Sequence, residues 1–196
     1  MKIKIVNMKM EQNHCIQCVI VGDGMVGKSH LAKSFVGQTL QEDYIATIFE
    51  NYAGSIAVAG SKYTIGIFDS AGQQDYTNLR AFSYRDSDVF VVCYSAVDRE
   101  SFNNIKSFWM PEIKKYNVKK RPVILVATQT DIKYESDNHI TCDEGVELAK
   151  DIGAECLIET SAITMEGTNE TFEKVVLSAL KNRKKKYKIF SKLFKR

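Results

Sequence analysis

Eight residues, Gly22-Asp23-Gly24-Met25-Val26-Gly27-Lys28-Ser29, have the spacing G-x-x-x-x-G-K-[ST]. Glycines in such a run let successive backbone N–H groups wrap a phosphate, and a helix beginning at its end adds positive potential. Lys28 would reach the outer phosphates, and the Ser29 hydroxyl would ligate Mg²⁺. The bland reading is a glycine-rich turn with a solvated lysine. An apolar run before the motif and a helical pattern after it weigh against that reading.

Three further groups complement the first. Asp69-Ser70-Ala71-Gly72-Gln73 follows a β-like segment ending at Phe68. An aspartate at a strand end can hold a Mg²⁺-bound water, and the Gly72 N–H can approach a terminal phosphate with no Cβ in the way. Gln73 then stands where it could orient an attacking water. Thr128-Gln129-Thr130-Asp131 and Ser161-Ala162-Ile163 would choose the base. The Asp131 carboxylate can accept from guanine N1–H and the exocyclic amine, a donor pair that adenine lacks on that edge. The Ala162 N–H could donate to guanine O6. Each group alone is a common turn or a polar strand end; four in this order, each closing a strand, form a strong signal together.

Such motifs need strands that stop and helices that start beside them. Residues 16–21 are a short apolar run broken at Gly22, the pattern of a buried parallel strand. Residues 31–36 continue from Lys28 with helical spacing. Residues 51–59 and 62–68, joined at Gly60 and Ser61, read as a hairpin. Residues 88–95 and 122–127 are further buried strands, and a helix is predicted from about 101 to 116, interrupted near Pro111. Residues 143–152, 156–159 and 170–184 then read as helix, strand and helix. The order β-α-β-β-α-β-α-β-α-β-α predicts a doubly wound α/β domain: a mostly parallel six-stranded sheet with one antiparallel edge strand and helices on both faces. Its ligand should sit at the carboxyl ends of the strands.

A length of 196 residues with 44% hydrophobic residues suits one domain with a substantial core. No run approaches the roughly 18 apolar residues of a membrane span, and the first 14 residues do not read as a secretory signal. Five scattered cysteines are no disulfide framework and point to a reducing, intracellular compartment. The net charge of +3 conceals an asymmetry: residues 181–196 hold nine Lys/Arg and no acid, leaving the body at about −6. The basicity therefore argues for no nucleic-acid partner. It belongs to a terminal segment suited to an anionic surface.

On these motifs the chain resembles a Ras-superfamily small GTPase, and within it the Rho/Rac branch. Gly22-Asp23-Gly24 resembles that branch's P-loop, and Tyr44-Ile45-Ala46-Thr47-Ile48-Phe49-Glu50-Asn51-Tyr52 its switch I. Phe68-Asp69-Ser70-Ala71-Gly72-Gln73-Gln74-Asp75-Tyr76 resembles its switch II. Ser101-Phe102, Trp109-Met110-Pro111-Glu112 and the Thr-Gln-x-Asp base motif agree. The resemblance covers roughly residues 15–180. It implies a P-loop GTPase domain at 15–182, with an N-terminal extension at 1–14 and a basic amphipathic tail at 183–196. It implies a switch that hydrolyses GTP to GDP with Mg²⁺ and signals to effectors through switches I and II. Exchange factors and activating proteins would be its regulators, and the expected form is a monomer.

By the same resemblance, Gln73, Lys28 and Thr47 are the catalytic residues. Gly24, Val26, Gly27, Lys28, Ser29, His30, Leu40, Tyr44, Thr47, Asp69, Gly72, Thr128, Gln129, Asp131, Ser161, Ala162 and Ile163 are expected against the nucleotide. Ser29 and Thr47 would ligate Mg²⁺, with Asp69 acting through a water. Asn51 would lie on the effector surface, and Phe68 at a position associated with choice of exchange factor.

Departures from the family pattern carry expectations of their own. Leu40 stands where a phenylalanine usually packs edge-on against guanine, and Gln41 and Ala46 replace prolines that stiffen switch I. Met25 replaces a smaller residue. Only nine residues separate Asp131 from Thr141, too few for the helical insert of most Rho proteins. The sequence ends Phe194-Lys195-Arg196 without a C-a-a-X box. No arginine stands out as a finger supplied in cis, so slow intrinsic turnover is expected.

Among the remaining residues, Cys15 and Cys18 have C-x-x-C spacing, but positions three apart on a strand face opposite ways. Phe108 and Trp109 read as packing, and Lys114, Lys115, Lys119, Lys120 and Arg121 as a solvated helix end and loop. On a helical wheel at ~100° per residue, Tyr187, Ile189, Phe190, Leu193 and Phe194 share one arc with lysines opposite. Lys186 alone intrudes on the apolar side. The pattern suits the interface of an anionic bilayer, with a disordered solubilising tail or a nuclear-localisation signal as the alternatives. The expected location is cytoplasmic, with reversible association of residues 184–196 with a membrane's inner face. The competing reading of the whole is a fast-exchanging, mostly GTP-loaded interaction module whose output is not hydrolysis.

Overall fold

The computed structural model describes residues 14–40, 47–73, 76–117 and 120–193, with side chains through Lys185. Six strands form one sheet in the order β2-β3-β1-β4-β5-β6. They are β1 (Cys15–Val21), β2 (Phe49–Val58), β3 (Ser61–Ser70), β4 (Val89–Ser95), β5 (Val123–Thr128) and β6 (Leu157–Glu159). Only β2 runs antiparallel, on the edge against β3. β1 pairs with β3 on one side and β4 on the other, so successive connections leave it in opposite directions. This reversal opens a crevice at the carboxyl end of β1, where Gly22 follows.

Alternation within β1 serves both faces of the sheet. Ile16, Cys18 and Ile20 pack with α1 (Lys28–Phe35) and α6 (Thr168–Leu193), through Leu31, Ala32, Phe172, Val175 and Val176. Val19 and Val21 face the opposite layer, with Tyr84, Ile105, Trp109, Ile113 and Leu148. Those come from α2 (Thr77–Asp86), α4 (Met110–Tyr116), the turn before α4, and α5 (Cys142–Ile152). Every residue of β4 and β5 is buried, as strands covered on both faces require. Each fully buried aliphatic or aromatic side chain contributes roughly 1.5–3 kcal/mol relative to exposure.

Four details differ from the sequence expectations. The hairpin turns at Ala59 and Gly60, with φ of 49° and 76°, one residue earlier than expected. Positive φ at both central residues matches the right-handed twist of the strands. The interruption in the third helical region comes before Pro111: α3 (Arg99–Asn104) passes into a π-helical turn, Ile105–Trp109, and Pro111 opens α4. Proline has no N–H to return to the preceding turn, so the wider turn forms upstream of it. Arg121 is not solvated but 7% exposed, its guanidinium donating to the Tyr84 and Arg85 carbonyls. Finally, α6 runs unbroken through Leu193, so the basic segment begins within a helix rather than after one.

Candidate functional site

The loop after β1 is shaped by backbone constraint. Gly22 has φ +142°, and a Cβ there would stand 2.2 Å from the Cys93 carbonyl oxygen, so only glycine fits. Gly27, at φ +83°, precedes α1 and accepts from the Leu31 N–H at 2.9 Å. Val26 between them is fully buried and anchors the loop in the core. The Thr128 hydroxyl, at the end of β5, lies 2.5 Å from the Val26 carbonyl and 2.9 Å from that of Tyr94. Thr128 thus bears on the site by fixing the loop. Met25 takes φ +63° and is 68% exposed; a side chain in the left-handed region costs roughly 1–2 kcal/mol.

Lys28 opens α1 almost wholly buried, and its ammonium donates to the Asp23 carbonyl at 2.5 Å. Burial pushes its pKa below the ordinary lysine value, while the charges of Asp69 and Asp23 work against that shift. An ammonium so poorly hydrated gains strongly from an anion.

The next residue meets two others. Ser29 Oγ donates to Asp69 Oδ2 at 2.5 Å, and Thr47 Oγ1 lies 2.9 Å from Ser29 Oγ. Since the serine has one hydrogen, given to Asp69, the threonine is the donor in the second contact. Asp69 sits at the end of β3 with no exposed surface, and its Oδ1 has no hydrogen-bond partner among the described residues. Burial raises its pKa to about 6, against the lowering effect of the Ser29 hydrogen bond. Two hydroxyls and a carboxylate from three segments of the chain, the carboxylate with one buried oxygen wanting a donor, fit a hard divalent cation and its water.

Gly72 makes an approach as close as that of Gly22. A Cβ on it would lie 2.2 Å from the Gly24 nitrogen, so the Asp69–Gln73 segment rests at Gly72 directly on the loop after β1. Gln73 is exposed, and its carbonyl accepts from Arg80 at 2.5 Å. Arg80 also donates to the Ala71 carbonyl at 2.9 Å and to both Glu112 oxygens.

After β5, Gln129 has φ +59°, and its amide donates to the Met25 carbonyl at 3.5 Å. Asp131 follows on a 3₁₀ turn, Thr130–Glu135, with its side chain exposed. That turn is held to β6 by Lys133 and Glu159 at 2.6 Å, and Thr130 N–H donates to the Thr160 carbonyl at 3.2 Å. Ser161 is buried and accepts from the Thr164 N–H, Ala162 is half-buried, and Ile163 is 68% exposed. Leu40 and His30 are half-buried. Tyr44, Gln41 and Ala46 lie outside the described residues.

Sequence reasoning misses the support behind these groups. The motif's spacing makes Asp23 one of the loop's variable positions, yet its carboxylate accepts from Trp109 Nε1 at 2.6 Å and Asn104 Nδ2 at 2.7 Å. Trp109 is fully buried, as packing requires, and is also a donor. Arg80 and Glu112 carry no signal in spacing, since they meet between two helices. The C-x-x-C pair divides as expected, Cys18 into the core and Cys15 half-buried; burial pushes the Cys18 thiol far up.

Residues 17–181 match the Ras family, which is most of the chain. The chain belongs to that family and is a small GTPase, a GTP-binding molecular switch.

Proposed function

From a Ras-family GTPase with this geometry, we propose a Rho/Rac-like switch that exchanges GDP for GTP and ends its signal by hydrolysis. The observation that carries the site assignment is the meeting of Thr47 Oγ1 and Asp69 Oδ2 at Ser29 Oγ, with the other Asp69 oxygen, Oδ1, buried and unpartnered among the described residues. Members of the family bind GTP or GDP and Mg²⁺. In this chain the Ser29 and Thr47 hydroxyls would hold the cation, with Asp69 acting through a water. Bound Mg²⁺ supplies neutralisation of phosphate charge.

The amides of Gly24, Val26, Gly27, Lys28, Ser29 and His30 cradle the phosphates, and the Lys28 ammonium exchanges the Asp23 carbonyl for phosphate oxygen. Gly72 approaches the terminal phosphate, and Gln73 orients the water for in-line attack. By the family resemblance Tyr44 would close over the phosphates. Asp131 and the Ala162 amide read guanine, with Gln129, Ser161 and Ile163 beside the base and Leu40 against it. Hydrolysis then depends on positioning and charge stabilisation rather than covalent chemistry.

The Rho/Rac reading draws on the residue patterns around Thr47, Phe68 and Trp109, and a role in cell-shape regulation follows from that branch. Family members work with activating proteins, exchange factors and effectors, and the switch surface of this chain would meet the same classes. No described helix is long and apolar enough to cross a membrane. The basic segment continuing α6 suits reversible association of a cytoplasmic protein with an anionic inner leaflet.

A second reading, a GTP-loaded interaction module, is favoured by Leu40 and by the exposed Met25 in its left-handed conformation. One experiment separates the two. Purified protein is loaded with GTP or ATP, with and without Mg²⁺, and nucleotide release and single-turnover hydrolysis are followed together. The switch requires guanine selectivity, Mg²⁺-dependent retention and hydrolysis. Retention of GTP without turnover would favour the module, and equal ATP binding would overturn both.

A further inference from the structure

An aspartate is an awkward residue at position 23. It lies in the loop whose amides would face phosphate, five residues before the lysine that serves the same anion. A free carboxylate there would repel the nucleotide and compete for the Lys28 ammonium. The structure holds it elsewhere. Its two oxygens accept from Trp109 Nε1 at 2.6 Å and from Asn104 Nδ2 at 2.7 Å, while its backbone carbonyl takes Lys28.

The two donors come together because of the π-helical turn. On an α-helix, residues five apart point about 140° away from each other at ~100° per residue. The wider turn over Ile105–Trp109, which bonds i to i+5, brings Asn104 and Trp109 onto one side, against the phosphate loop. The face of the same indole carries the Arg80 guanidinium, 4.9 Å from the ring centroid. Arg80 in turn holds the Ala71 and Gln73 carbonyls. A single buried ring therefore contacts groups that fix both the phosphate loop and the segment bearing Gln73.

Resting on the nucleotide-site reading above, we propose that Asn104 and Trp109 are positioning residues of that site. Their donors keep the Asp23 carboxylate turned away from the phosphates and off the Lys28 ammonium. The ring of Trp109, packed under Arg80, ties the phosphate loop to the Gln73 segment. When the donors are lost, the carboxylate turns to the nearest cation, Lys28, and nucleotide leaves faster.

The test is a cycle of substitutions in the full chain, read as release of a fluorescent GDP analogue in Mg²⁺ buffer. Trp109→Phe keeps an aromatic ring but removes the N–H and some packing, which the Asp23→Ala background controls for; Asn104→Ala alters a half-buried position. Each should speed release about three- to tenfold. In an Asp23→Ala background the same substitutions should change release less than twofold, because there is no carboxylate to restrain. A role limited to packing would speed release equally in both backgrounds, and that result, or no acceleration at all, would overturn the proposal. Failure of the unaltered protein to bind guanine nucleotide would instead overturn the site reading, and the proposal with it. Trp109 is the chain's one tryptophan, which allows a second reading. Its emission should change when GDP is replaced by a non-hydrolysable GTP analogue, and that change should be lost in Asp23→Ala. An emission insensitive to the nucleotide would refute the tie between the phosphate loop and the Gln73 segment.

Discussion

Arg80 and Glu112 form an ion pair at 2.8 Å with side chains only 1% and 5% exposed. Tyr84 and Thr77 donate to the same carboxylate, at 2.5 and 2.8 Å. Burial alone would raise the Glu112 pKa, but the hydrogen bonds from Arg80, Tyr84 and Thr77 outweigh it and hold the pKa below the usual glutamate value. A buried pair is a weak source of net stability, yet removing one partner leaves the other charged and alone.

Glu112→Gln should therefore cost about 3–5 kcal/mol, a fall of roughly 6–20 °C in Tm for a chain of this size. The sign with pH follows from the depressed folded pKa. The contribution of Glu112 is fully present above the unfolded glutamate pKa and is lost progressively as pH falls from there through the lower folded pKa. Thermal melts between pH 3 and 7 should show a steep acid limb in the native protein and a shallower one in the variant. Equal acid limbs would show that the pair is not what acid breaks.

Asp131 is exposed on its 3₁₀ turn, free to meet a base. Asp131→Asn should weaken GTP binding by more than tenfold, from the loss of a charged hydrogen bond of roughly 1.5–3 kcal/mol. Xanthine nucleotides, which present an acceptor where guanine presents a donor, should bind the variant better than GTP does. Competition titrations with both nucleotides check this directly.

Gln73 is exposed while Arg80 holds its carbonyl, so its backbone is fixed and its amide is available. Gln73→Leu keeps the bulk and removes the group that orients water. Single-turnover hydrolysis should slow tenfold or more with GTP affinity nearly unchanged. An unaltered rate would take Gln73 out of the chemistry and favour the interaction-module reading.

Leu40 is half-buried. In the proposed site it stands against the base, where it cannot present an aromatic edge. An aromatic pair contributes ~0.5–1.5 kcal/mol beyond its buried area, roughly two- to thirteenfold in affinity, expressed mostly in release. Native protein should therefore release GDP quickly without an exchange factor, and Leu40→Phe should slow release by up to that factor. Stopped-flow release of labelled GDP measures both.

The helix α6 packs Phe172, Val175, Val176 and Ala179 into the core and then continues to Leu193. A chain ending at residue 183 should keep its fold and its GTP binding but lose sedimentation with anionic vesicles. Each Lys or Arg near such a surface contributes about 1 kcal/mol, a term that salt screens over a Debye length of about 8 Å. Binding of the intact chain should accordingly weaken between low and physiological salt. No sedimentation even at low salt would assign the segment to a protein partner or to nuclear import.

The parts of the site that lie closest together along the chain are legible in the amino-acid sequence by itself. Gly22, Gly27, Lys28 and Ser29 form one local turn whose shape depends on backbone torsions, and those depend on residue type. Asp69, Gly72 and Asp131 are legible because each closes or follows an apolar run, and a run of one period ends where its strand ends. The β2–β3 hairpin is readable to within a residue for the same reason. Tertiary structure alone decides what stands behind these groups. Asp23 meets Trp109 and Asn104 more than eighty residues away, and Arg80 meets Glu112 across two helices. Arg121, charged and in a lysine-rich stretch, becomes buried because two carbonyls at the end of α2 need its donors. A hydrophobic period tells which face of an element turns inward. It does not tell which polar atoms two inward faces bring within hydrogen-bonding reach, because that depends on the packing of whole layers, down to the extra residue of one π-helical turn.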